Sequence, residues 1–167
     1  MRIKEFIMLF ESNSLKRFLG FVLSCLFITS SASLASPSGD QVLGDWLTAE
    51  GRSKVTIYRC EQKYCGKITW LKEPVYPASD TQGMAGKPKI DRDNPDPALR
   101  SRKLIGLIIL EDFRFIDNAY EDGTIYDPKK GKTYSCIITF MDSNTLQVRG
   151  YIGFSLIGRT TNWTRPN

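Results

Sequence analysis

Histidine is absent from all 167 residues, and this absence excludes more chemistry than any motif in the chain supports. A Ser-His-Asp or Cys-His centre needs an imidazole that titrates near working pH, and a zinc site loses its usual nitrogen ligand. No concentrated basic stripe is present, which argues against a dedicated nucleic-acid binder. No apolar run reaches the roughly 20 residues of a spanning helix. Carboxylate, Lys, Tyr and Cys chemistry remain, and none of these groups forms a recognisable catalytic arrangement. No catalytic residue, metal ligand or cofactor is therefore assigned, and an enzyme, if there is one, would use carboxylates or tyrosines.

The N-terminus carries the clearest positive signal. Lys16 and Arg17 precede an apolar stretch from Phe18 to Ser31, and Ser33-Leu34-Ala35 places small residues at the −3 and −1 sites of a signal peptidase. The run holds 14 residues, short for a membrane anchor. Residues 1–35 read as a signal peptide cleaved at Ala35-Ser36, 36–43 as a short polar leader and 44–167 as one domain. The expected location is periplasmic or secreted, with no transmembrane span after cleavage. Cleavage leaves nineteen basic residues against sixteen acidic ones, a mild excess.

Three cysteines stay in the mature chain. Cys60 and Cys65 flank Glu61-Gln62-Lys63-Tyr64 between two strand-like segments. A hairpin brings such positions within bridging distance, and an oxidising compartment would keep the bond. The rival is a metal pair, but two thiols without His or two more Cys make a poor zinc site. Cys136, within the strand-like Tyr134-Ser135-Cys136-Ile137-Ile138, reads as a buried free thiol.

The remainder alternates with period two. Val55 and Ile57 share one face of 54–60, and 65–71 repeats that character after a turn. Leu104 to Leu110 is a continuous apolar run that suits a strand buried on both faces. Segments 113–116, 123–128, 133–141, 146–154 and 162–164 complete the set, with Asp142-Ser143-Asn144 as a hairpin connection. About eight antiparallel strands at close spacing indicate a sandwich or, better, a β-barrel, which leaves no edges. Between Glu73 and Lys103 fall five of the eight prolines, so this is a long surface loop rather than sheet. Within it, Asp96 suits an N-cap with Pro97 at the first helical position.

Several of these motifs occur together in a known order. Gly44-Asp45-Trp46-Leu47-Thr48, Cys65-Gly66-Lys67-Ile68 with Trp70-Leu71, and Asp93-Asn94-Pro95-Asp96-Pro97-Ala98-Leu99-Arg100-Ser101-Arg102 are followed by Ile125-Tyr126-Asp127-Pro128, Val148-Arg149-Gly150-Tyr151 and Trp163-Thr164-Arg165. In this the chain resembles the uncharacterised bacterial family known as domain of unknown function 2147. The resemblance implies a secreted or periplasmic protein with a lipocalin-like β-barrel, and no established activity. Gly44-x-Trp46 also resembles the first-strand motif of lipocalins, where a late Arg lies over the indole. Arg165 is the matching residue, and the Trp46–Arg165 pair is expected to be structural.

Candidate binding residues are the aromatic and polar-tipped groups able to line a cup: Tyr58, Trp70, Tyr126, Asp127, Tyr134, Arg149 and Tyr151. Alternation puts Arg149 and Tyr151 on one face, opposite Val148 and Gly150. Facing inward, Arg149 would await an anion or Asp127; facing outward, it is a solvated cation. Asp91 to Asp96 invites a calcium reading, but it lacks the Gly and Glu of an EF-hand loop at the sixth and twelfth places. Turn formation and pairing with Arg92, Arg100 and Arg102 is the ordinary explanation. Lys129, Lys130 and Lys132 read as a solvated hairpin tip, with anionic lipid or polysaccharide contact as the rival. The leading expectation is a non-enzymatic binding module of the cell envelope, holding a small apolar or amphipathic ligand in a mouth framed by the 73–103 loop. The alternative is a structural or interaction module with a filled barrel and an envelope protein partner.

Overall fold

The computed structural model describes residues 39–154 and 156–167. The signal segment 1–35, its Ala35-Ser36 cleavage point and residues 36–38 of the leader lie outside them. Eight strands, β1 (Gly44–Leu47), β2 (Ser53–Cys60), β3 (Lys63–Leu71), β4 (Ile108–Ile116), β5 (Ala119–Asp127), β6 (Lys132–Asp142), β7 (Thr145–Tyr151) and β8 (Gly158–Thr164), run in sequence order around a closed antiparallel barrel. Most neighbours share long ladders, whereas the β1–β8 seam rests on one register pair, Leu47 with Thr164. Among the described residues no helix is long and apolar enough to cross a membrane.

The alternation sends Trp46, Val55, Ile57, Tyr64, Ile68, Leu110, Phe113, Tyr120, Cys136, Ile138, Leu146, Val148 and Trp163 inward to one core. A 3-10 turn, Gly39–Val42, plugs one end of it, with Val42 buried beneath Trp46 and Tyr120. Two-residue connections join the strands at this closed end: 61–62, 117–118 and 143–144. Asp117 and Asn118 both take positive φ, at 47° and 68°, the backbone a tight hairpin of right-handed twist requires. The other end, the mouth, carries the connections 48–52, 72–107, 128–131 and 152–157.

The strands depart from their sequence patterns in several places: β4 runs on through 113–116, β5 begins at Ala119 rather than 123, and three further departures shape the mouth. Leu104 to Leu107 is not strand: Gly106 sits at φ 94°, and the turn it makes returns the chain so that Gly106 N–H donates to the Ile68 carbonyl at 2.7 Å. The apolar run therefore divides, and Ile108 at the start of β4 is 43% exposed rather than buried on both faces. The alternation of β3 is broken near the mouth, where Val55 pairs with Ile68 but Lys54 pairs with Trp70. One residue is thereby inserted, as in a β-bulge, and Trp70 is left exposed. At the third place, β7 ends at Tyr151, so Ile152 to Phe154 belong to a loop, while β8 begins at Gly158, earlier than 162.

The disulfide is present as expected: Cys60 and Cys65 are bonded diagonally across the β2–β3 hairpin, with Cα atoms 5.8 Å apart. So small a closed loop places its contribution at the low end of about 2–4 kcal/mol. Cys136 is a buried free thiol. Burial pushes it up to about 12, which removes thiolate reactivity at neutral pH.

Candidate functional site

The barrel interior is packed. Among Val42, Ile57, Tyr64, Cys65, Leu110, Phe113, Tyr120 and Ile138 there is no room for a water molecule. Space opens instead at the mouth, where a cleft of about 650 Å³ lies between the 48–52 loop, the end of β3, the long loop, the β5–β6 turn and the start of β8. Five cations line it: Arg52, Lys72, Lys89, Lys129 and Arg159. Two carboxylates answer them, with Glu50 on Arg52 at 2.6 Å and Glu73 on Lys89 at 3.3 Å. Lys72, Lys129 and Arg159 have no carboxylate within ion-pair distance among the described residues. Leu71 and Leu104 also line the cleft, and both pack against the core below. The cleft is thus a cationic ring on an apolar floor.

Of these residues, Arg159 and Leu71 are placed by the strand pattern, and the other cations by the connections at the mouth. Trp163 is inward on β8, so period-two alternation brings Arg159, four residues earlier, to the same face at the mouth. Arg159 pairs with Gly150, which has no side chain to crowd it. The inserted residue in β3 turns Leu71, rather than Trp70, toward the cleft.

The long loop is held by a buried polar cluster. Asp91 is fully buried. It accepts hydrogen bonds from the Tyr126 hydroxyl at 2.6 Å, Asn94 Nδ2 at 2.8 Å and Arg102 Nη2 at 2.8 Å. Asn94 Nδ2 also donates to the Tyr126 oxygen at 2.9 Å. Burial chiefly, together with the Asp91 carboxylate that accepts its proton, pushes Tyr126 up to about 12. The neighbouring acids turn to separate tasks: Asp96 caps Ala98 N–H at 2.9 Å, and Arg92 pairs with Asp80 at 2.7 Å. Among the described residues no three Cys, Asp or Glu converge as a metal cage. The β5–β6 turn closes against this loop, because Gly131 lies so near the Asp93 carbonyl that a Cβ there would overlap it.

None of the seven candidate binding residues lines the cleft. Tyr58 is on the outer face beneath Lys67, whose ammonium is 5.6 Å from its ring centroid. Trp70 is exposed. Tyr126 anchors the loop, and Asp127 accepts from Lys129 N–H at 3.0 Å to shape the hairpin turn. Tyr134 shares the inward face of β6 with Cys136 and Ile138, while Tyr151 and Arg149 lie on the outer face of β7. The inward alternative for Arg149 is thus corrected: with Val148 buried, its neighbour must face out. Its guanidinium donates to Thr160 Oγ1 at 2.8 Å and to the Leu156 carbonyl at 3.3 Å.

The Trp46–Arg165 pair has the geometry the lipocalin motif implies. The guanidinium carbon lies 3.9 Å from the indole centroid, and the side chain donates to the carbonyls of Leu43 at 2.8 Å and Gln41 at 2.6 Å. It closes the barrel bottom and spans the short β1–β8 seam.

Among solved structures, the fold is similar to protein HP1028 from Helicobacter pylori, described as belonging to the lipocalin family. The TM-score is 0.61 at 24% identity, covering 75% of this chain and 83% of that one. No sequence among curated proteins matches. The model of a family described as an uncharacterized protein conserved in bacteria, DUF2147, matches residues 44–165, which is the barrel from the first residue of β1 to the arginine that closes it. The chain belongs to the DUF2147 family.

Proposed function

We propose that this is an exported, non-enzymatic binding protein of the bacterial cell envelope that holds a small amphipathic ligand, anionic at its head, in the mouth cleft. The observation that carries the reading is the cleft itself: 650 Å³ is within the range of small-molecule sites, and its lining combines five cations with a leucine floor. An apolar ligand without charge would leave Lys72, Lys129 and Arg159 desolvated without an anion. The cleft's two carboxylates are each tied to a cation, which fits binding better than acid–base catalysis. Eight-strand barrels hold one small ligand or none, and here the packed lower half leaves only the mouth. Export is supported by the Cys60–Cys65 bond, of a kind that persists in oxidising compartments, and by the composition of residues 16–35.

The packed interior favours a second reading, a filled barrel that serves as a structural or interaction module. Calorimetric titration with decyl phosphate and decyl glucoside, both below their micelle concentrations, separates the two. The binding reading expects decyl phosphate to bind and the neutral glucoside not to. Arg159→Ala should weaken the phosphate about tenfold, or roughly 1.4 kcal/mol. Absence of binding, or binding indifferent to Arg159, would leave the filled-barrel module.

A further inference from the structure

The four most exposed large apolar residues of the described chain fall in one connection. Ile152, Phe154, Leu156 and Ile157 are 66%, 80%, 89% and 72% exposed, all between β7 and β8 at the mouth. The loop that carries them is held in shape. Ile157 N–H donates to the Phe154 carbonyl at 3.0 Å and Ile152 N–H to the Ile157 carbonyl at 3.3 Å, and Arg149 holds the Leu156 carbonyl from the outer face. Exposed apolar groups scattered singly need no explanation, but a cluster of this kind marks an interaction surface.

The charge around it says what it meets. The mouth connections, residues 48–52, 72–107, 128–131 and 152–157, carry ten Lys and Arg against six Asp and Glu. The segments of the closed end, 39–43, 61–62, 117–118, 143–144 and 165–167, carry one against three. The barrel is therefore polar end to end, with its apolar loop on the basic end. From this the geometry points to docking of the mouth end on an anionic lipid bilayer. Phe154, Leu156 and Ile157 enter the boundary between headgroups and acyl chains, and Lys129, Lys130 and Arg159 sit at phosphate level. A second copy of the chain is a poor occupant, because two basic ends would be brought face to face. Docking shares Lys129 and Arg159 with the rim of the cleft. Its apolar contact is the 152–157 connection, which lies outside the cleft lining, so a reporter at position 154 reads docking whether or not the cleft takes a ligand.

The test places a reporter in the loop of the full chain. Phe154→Trp is titrated with vesicles of phosphatidylglycerol bearing brominated acyl chains, and with phosphatidylcholine vesicles brominated alike. The unsubstituted chain serves as the blank for Trp46, Trp70 and Trp163. Quenching at position 154 reports that loop whatever else in the chain touches lipid. The expected result is at least twofold quenching of the added emission in phosphatidylglycerol, little in phosphatidylcholine, and reversal by high salt. Adding Lys129→Glu and Lys130→Glu should shift the half-quenching lipid concentration up by about tenfold. No quenching in either lipid overturns the proposal, as does equal quenching in both. It is also overturned if sedimentation shows a dimer that Leu156→Ser abolishes, since the loop's partner would then be a second copy.

Discussion

At the closed end of the barrel the polar groups around the 39–42 turn are paired, and at the mouth several are held in readiness. Below, the Trp46 indole N–H donates to the Val42 carbonyl at 2.7 Å, and the Tyr120 hydroxyl donates to that of Gly39 at 2.6 Å. Arg59 reaches Asp40 at 2.6 Å and holds its carboxyl below the ordinary value. Above, Lys72, Lys129 and Arg159 line the cleft with no carboxylate within ion-pair distance among the described residues, and four large apolar side chains stand in solvent. Paired, dry groups stabilise a fold, whereas unpaired cations and exposed apolar surface cost it stability and are expected where something binds. Substitutions at the two ends should accordingly separate stability from binding.

The largest effect is expected at the bottom. Trp46→Ala removes a fully buried indole and the ring beneath Arg165, with an expected loss of about 3–5 kcal/mol. A urea titration would show it as a fall in midpoint without a change of slope. If decyl phosphate binding were lost at concentrations of urea where the variant is still folded, the separation of the two ends would fail.

A smaller effect is expected where the loop joins the barrel. Tyr126→Phe removes one of three donors to the buried Asp91, for about 1–3 kcal/mol. The same hydroxyl makes a pH prediction. Folding raises Tyr126 from 10.0 to about 12, so the folded chain keeps a proton that the unfolded chain gives up first. Its stabilisation is fully present below pH 10 and is lost as pH rises through about 12. Unfolding followed over that window should flatten in Tyr126→Phe, and phenolate absorbance should show one tyrosine fewer titrating late. Unchanged curves would place Tyr126 outside the anchor.

How far the sequence discloses this arrangement depends on whether a feature is periodic or positional. The strands, the hairpin disulfide, the proline-rich loop and the Asp96 cap follow from alternation and turn chemistry. The cleft does not, because its residues come from loops and strand ends whose convergence requires the closed barrel. Arg159 had a readable signal: it is in phase with Trp163, but a strand taken to begin at 162 leaves it outside. Leu71 had none, since one residue inserted opposite Lys54 and Val55 reverses which of Trp70 and Leu71 turns inward. Leu104 to Leu107 misleads for a similar reason. Hydrophobicity there reflects packing under the loop, and the positive φ of Gly106 is invisible in an apolar run.

The subtlest difference is between two arginines on neighbouring strands. Arg149 and Arg159 lie one residue out of register, as Arg159 pairs with Gly150, and this single step puts one outside the barrel and the other in the cleft. Arg149→Ala should therefore leave decyl phosphate affinity unchanged, where Arg159→Ala weakens it about tenfold. Because Arg149 makes its hydrogen bonds at the exposed surface, global stability should shift by under ~1 kcal/mol. What it does hold is the Leu156 carbonyl, so its loss should loosen the β7–β8 loop. Hydrogen exchange at the Ile152 and Ile157 amides, both donors within that loop, would quicken while the amides of β7 itself stay protected. Faster exchange throughout β7 would mean that the outer-face arginine supports the wall and not the loop alone.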